Sequence, residues 1–161
     1  MIPAADIEAV VFSLGGETFA LPVGTVQEIL DYREAFQMPQ GPAWLAGLID
    51  VRGEAIPMID LRVRLGLSAA TVGPMTRILV VGVACGERLL TLGVIVDRVL
   101  DVATFAAGSV ETTPDIGVRW RSDYIDGIVR KAGGFIVLLA AARIFQAEDG
   151  TIDFSDMATA A

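Results

Sequence analysis

The chain has 161 residues, 53% of them apolar and only 20% charged, with a mean hydropathy of +0.60. That composition excludes a disordered polymer and suits one compact unit or two small subdomains sharing a core. The net charge is −8 and the basic residues are scattered, so the concentrated basic face that nucleic-acid binding needs is missing.

Met1–Asp6 carries no basic or apolar leader segment, so no signal peptide is read and a cytoplasmic location is expected. Val10–Leu14 and Thr18–Val23 then flank Gly15-Gly16-Glu17, a hairpin signal. Thr25–Phe36 puts Val26, Ile29, Leu30 and Phe36 near one helical face, with Thr25 as a cap, and predicts a helix. Gln37–Pro42 reads as an extended connector. Leu48–Arg52 and Ala55–Leu61 flank Gly53-Glu54 as a second hairpin, closed by a short helical turn at Arg62–Leu65. After the link Ser68–Pro74, Ile78–Ala84 and Leu89–Val96 form a third hairpin around Cys85-Gly86-Glu87-Arg88. The longest apolar runs, Ile78–Cys85 and Leu89–Val96, fall well short of the ~20 residues of a spanning helix, and no membrane insertion is expected. Ala106–Ser122 reads as a loop. Ile125–Arg130 and Phe135–Ala140 make a fourth hairpin around Lys131-Ala132-Gly133-Gly134, followed by a helical turn at Ala141–Phe145. Residues 148–161, acidic and then small, read as a flexible tail.

The chain contains no histidine. That removes a phospho-accepting histidine, a Ser-His-Asp or Cys-His couple and any histidine metal ligand. Lys131 is the sole lysine, and no phosphate-binding glycine loop occurs. The lone Cys85 excludes an internal disulfide and reads as a small buried hydrophobe. A non-enzymatic protein without cofactor or metal is expected.

The hairpins repeat. A shift of 80 residues lays Leu45-Ala46-Gly47-Leu48-Ile49 on Ile125-Asp126-Gly127-Ile128-Val129, and Gly53 on Gly133, without a gap. A shift of 73 lays Phe19–Ile29 on Leu92–Val102, matching Val26 with Val99 and Glu28 with Asp101. Many short strands with glycine turns, in two similar sets, predict an all-β fold with a few short helices, built as two small barrels.

At Ala43–Leu67 the arrangement Gly47, Arg52-Gly53, Pro57, Asp60-Leu61 resembles the signature of the CheW family of chemotaxis coupling proteins. Val26-Gln27-Glu28-Ile29, Leu92–Asp97 with Asp101-Val102, and Tyr124-Ile125-Asp126-Gly127 are similar to further elements of that family, in the same order, from about Val10 to Phe145. The sequence departs from the pattern at Asp50-Val51, at Arg77 and at Arg119-Trp120-Arg121. The resemblance implies two SH3-like five-stranded barrels within residues 8–147, roughly 10–75 with interleaved strands and 76–145. It also implies binding to the regulatory domain of a CheA-type histidine kinase and to the cytoplasmic tip of a methyl-accepting chemoreceptor, in a flagellar or another chemosensory pathway.

Arg52, at a hairpin tip, is the first choice for a partner contact, since a guanidinium can fork onto a carboxylate. By the resemblance Glu28, Val26, Gly47 and Val102 join it, with core packing the alternative for the two valines. Gly53, Pro57, Asp60 and Gly127 are expected to be architectural: glycines for close backbone approach, a strand proline at an edge or bulge, and Asp60 as a cap. Trp44 and Trp120 are candidate anchors or ordinary packing. A small-ligand barrel is the competing class, which Asp97, Asp101 and Asp126 would have to serve by convening in space.

Overall fold

The computed structural model describes residues 5–69, 71–85, 87–112 and 124–145, without the side chains of Cys85 and Arg88. The expectations for Arg119–Arg121, Trp120 and the tail 148–161 fall outside these residues, as does the burial of Cys85.

Eleven strands account for most of the described chain, and each expected hairpin forms. β1 (Ile7–Leu14) pairs with β2 (Glu17–Pro22), and β4 (Leu45–Val51) with β5 (Glu54–Asp60). β6 (Arg77–Cys85) pairs with β7 (Arg88–Val96), and β10 (Ile125–Lys131) with β11 (Gly134–Leu139). The short helices α1 (Leu61–Arg64) and α2 (Ala141–Ile144) close the second and fourth hairpins as expected.

Thr25–Phe36 is not a helix. A 3-10 turn at Val23–Thr25 leads into β3 (Val26–Asp31), where Val26, Glu28 and Leu30 are half-buried and the residues between them are exposed. Its apolar spacing fits either period, and the ladder to β6, from Val26↔Val81 to Asp31↔Arg77, decides for the strand. Its counterpart β8 (Arg98–Phe105) pairs with β1. The expected loop after it holds a 3-10 turn (Ala107–Ser109) and the two-residue strand β9 (Val110–Glu111).

The strands form a six-stranded sheet in the order β8-β1-β2-β11-β10-β9 and a five-stranded sheet in the order β3-β6-β7-β5-β4. A boundary near residue 75 therefore does not separate them: β6 and β7 lie with β3–β5, while β1 and β2 lie with β8–β11. The cause is a crossover after each antiparallel hairpin, which sends β3 and β8 to the opposite sheet.

The repeat survives in the registers. Met58↔Gly93 joins β5 to β7 in parallel, and Leu138↔Ala20 joins β11 to β2 in parallel, the same pairing moved by 80 and 73 residues. Register shifts recur at equivalent places, Leu45/Gly47 and Ile125/Gly127.

Burial shows why the central strands read as continuous apolar runs. On β1, Val10, Phe12 and Leu14 enter a large core shared by the two sheets, while Ala9 and Val11 face a second core confined to the six-stranded sheet. On β6, Leu79, Val81 and Val83 enter the shared core and Ile78 and Val80 a third, within the five-stranded sheet. A strand buried on both faces cannot alternate with polar residues.

The two short helices meet at one end of the shared layer. Arg64 of α1 lies 5.1 Å from the ring centroid of Trp44 and 5.6 Å from that of Tyr124, residues 80 apart, and its Nε donates to the Ile144 carbonyl at 2.8 Å. Trp44 is thus buried packing beneath a cation, not an exposed anchor.

Candidate functional site

The β4–β5 turn consists of Arg52 and Gly53, with φ of +52° and +83°, the two positive angles of a type I′ turn. Arg52 is one of two non-glycine residues in the left-handed region among those described. Asp50 sustains the turn by accepting the Gly53 amide on Oδ1 at 2.8 Å, and its carbonyl accepts from Arg33 at 2.6 Å.

From this tip the Arg52 guanidinium reaches back to β3 and donates from Nη2 to Glu28 Oε1 at 2.5 Å. The Arg52 side chain is 75% exposed and that of Glu28 25%. The expected carboxylate partner is therefore present within the chain, while the remaining N–H groups of the fork face outward. β3 and β4 lie at opposite ends of the five-stranded sheet. The ion pair and the Arg33 bond thus help draw the sheet's two ends together.

Gly47 is buried, with φ of +142°. A Cβ there would meet the Phe36 backbone well under 3.0 Å, because Phe36 and Leu48 exchange amide–carbonyl bonds of 2.7 and 2.8 Å across this spot. Only glycine admits that approach. Its counterpart Gly127 sits against β9, where a Cβ would lie 2.7 Å from Val110 Cγ1 and 2.9 Å from the Glu111 carbonyl oxygen.

Val26 is half-buried against the shared core, while Val102 is 53% exposed on the edge strand β8. They are not equivalent: the register matches Val26 with Val99 and Ile29 with Val102. Asp60 caps α1, accepting from the Arg62 and Val63 amides, as expected. Pro57 departs from expectation, since β5 is an interior strand. The ladder to β7 begins only at Met58, so Pro57 has no ladder partner on that side.

The six-stranded sheet lacks this pair. At the places of Arg52 and Asp50, 80 residues on, stand Ala132 and Arg130. Arg130 forks onto Glu111 at 2.6 and 3.2 Å, and the bond to that carboxylate raises the guanidinium above its ordinary pKa. Asp101, the counterpart of Glu28, accepts from the Val102 amide instead. Asp97 serves the crossover, taking the Gly15 amide at 2.7 Å and Arg62 Nη1 at 3.0 Å on Oδ2. Among the described residues no three acidic or cysteine side chains gather as a metal site.

Sequence reasoning placed Phe36 on a buried helical face, yet it is 79% exposed, and Asp50 figured only as a departure. Asp two residues before Arg-Gly is the signal that identifies the turn's own cap.

A family model described as the CheW-like domain matches residues 8–149. The chain belongs to the CheW-like family. A chemotaxis protein CheW of Rhizobium meliloti is 30% identical over 142 residues, covering 88% of this chain and 89% of its own. Protein FrzA of Myxococcus xanthus is 30% identical over 122 residues, 76% of this chain and 73% of its own. Among solved structures, the scaffolding protein TtCheW of Thermoanaerobacter tengcongensis superposes with a TM-score of 0.80 at 27% identity, covering 93% of this chain and 94% of that one. This CheW-like chain is accordingly a coupling or scaffold protein in kind. No helix among its described residues is long and apolar enough to cross a membrane.

Proposed function

We propose that the chain couples a CheA-type histidine kinase to methyl-accepting chemoreceptors in the cytoplasm, binding the kinase's regulatory domain and the receptor tip at separate surfaces. The observation that carries this reading is the Arg52–Glu28 pair on a left-handed turn. Backbone strain of 1–3 kcal/mol is retained where function requires it, and here it presents a guanidinium whose outer N–H groups can fork onto a partner's carboxylate. Two non-equivalent sheets supply two surfaces, as a coupling protein requires. The likeness to FrzA as well as to chemotaxis CheW favours a second reading, an adaptor of the same kind in a non-flagellar chemosensory pathway.

The test is assembly of the ternary complex. Wild-type chain, kinase regulatory domain and a receptor-tip fragment from the same organism should co-elute on a sizing column. Arg52→Glu should lose at least one partner while keeping its thermal midpoint. A wild-type chain that holds neither partner refutes the proposal.

A further inference from the structure

Phe36 is the most exposed large apolar residue among those described, at 79%, yet its backbone is pinned on both sides to Leu48. An aromatic ring without cover leaves apolar surface in water at roughly 25 cal/mol per Å². The fold keeps it there at a further steric demand: Gly47 must be glycine for Phe36 to close on Leu48. Open grooves run beside the ring. One, of about 410 Å³, is lined by Arg33, Glu34, Ala35, Leu48, Ile49 and Asp50 with Phe36. The other, of about 330 Å³, runs from Phe36 along Leu48 and Ile49 to Asp50 and Gly53. The second groove therefore ends at the turn that carries Arg52.

From this continuity we infer that Phe36 is an apolar anchor of the same contact surface as Arg52, and that Gly47 is its positioning residue. The occupant is the helical tip of a chemoreceptor. A single ring with a narrow groove alongside it suits the i, i+4 ridge of a helix, in which one apolar residue fills a groove and the next turn carries a carboxylate. That carboxylate answers the outward N–H groups of Arg52. The inference rests on the coupling-protein reading and adds to it a named anchor and the partner that uses it.

The test measures binding of full-length variants to two separate probes from the same organism: a receptor-tip helical hairpin and the kinase regulatory domain. Phe36→Ala should weaken receptor-tip binding tenfold or more, change kinase binding less than twofold and leave the thermal midpoint unmoved. Phe36→Leu should restore most of the loss. Gly47→Ala, if folded, should speed hydrogen exchange at the Phe36 and Leu48 amides, and the double variant should bind the tip no worse than Gly47→Ala alone. If Gly47→Ala does not fold, the Phe36 pair decides by itself. Receptor binding by Phe36→Ala at the wild-type level overturns the inference, as does a loss falling on the kinase domain instead. A wild type that binds neither probe refutes the coupling reading.

Discussion

Replacing Arg52 with Asn separates stability from binding. Arg52 has φ of +52°, and left-handed backbone costs an L-residue roughly 1–2 kcal/mol, less for Asn, whose short side chain bonds locally. The change therefore relieves about 1 kcal/mol of strain. It also removes the ion pair to Glu28, but with the Arg52 side chain 75% exposed that pair is of the kind worth about 0–1 kcal/mol. The net change runs from about zero to a gain of about 1 kcal/mol. With a urea slope of roughly 1–3 kcal/mol per M, the unfolding midpoint should stay or rise by less than about 1 M. An arginine at the heart of an interface costs about 2 kcal/mol or more when lost, or about 30-fold in Kd. Urea titration and partner binding on the same preparation should thus show a fold at least as stable and binding at least tenfold weaker. An Arg52→Asn protein that loses more than about 1 kcal/mol of stability, or binds as the wild type does, refutes the reasoning.

Arg64→Met should cost about 2–4 kcal/mol in denaturant titration, because it deletes two ring contacts and a charged bond to the Ile144 carbonyl; Arg64→Lys should recover only part, lacking the planar fork. Gly47→Ala should destabilise more than Gly127→Ala. Both collide with a neighbouring strand, but only Gly47 also has a positive φ, and where Gly127 meets Val110 the obstacle is in part a movable side chain; thermal midpoints of the two would rank them. On β7, Leu92→Ala should cost about 2–5 kcal/mol and Leu89→Ala less than about 0.5 kcal/mol, since Leu92 is fully buried and Leu89 is 67% exposed. Equal effects would place the shared core elsewhere.

The hairpins were legible along the chain because their information is local. Glycine pairs and Arg-Gly between apolar runs specify tight turns, Asp60 before Leu61 specifies a cap, and glycines recurring 80 residues apart specify two like units. The Arg52 turn was legible for the same reason, and so was its outward-facing arginine. The partner of each crossover strand was not. Val26–Asp31 carries apolar spacing that suits a helix, and only pairing with β6, some 50 residues downstream, makes it a strand. Phe36 shows the same limit. Its burial was read from periodicity, but its exposure follows from backbone bonds to Leu48 that Gly47 alone permits. Turns, caps and repeat units are set by neighbours in sequence. Which sheet a strand joins, and which side chain is left in water, is set by contacts that exist only once the two sheets have closed on their common core.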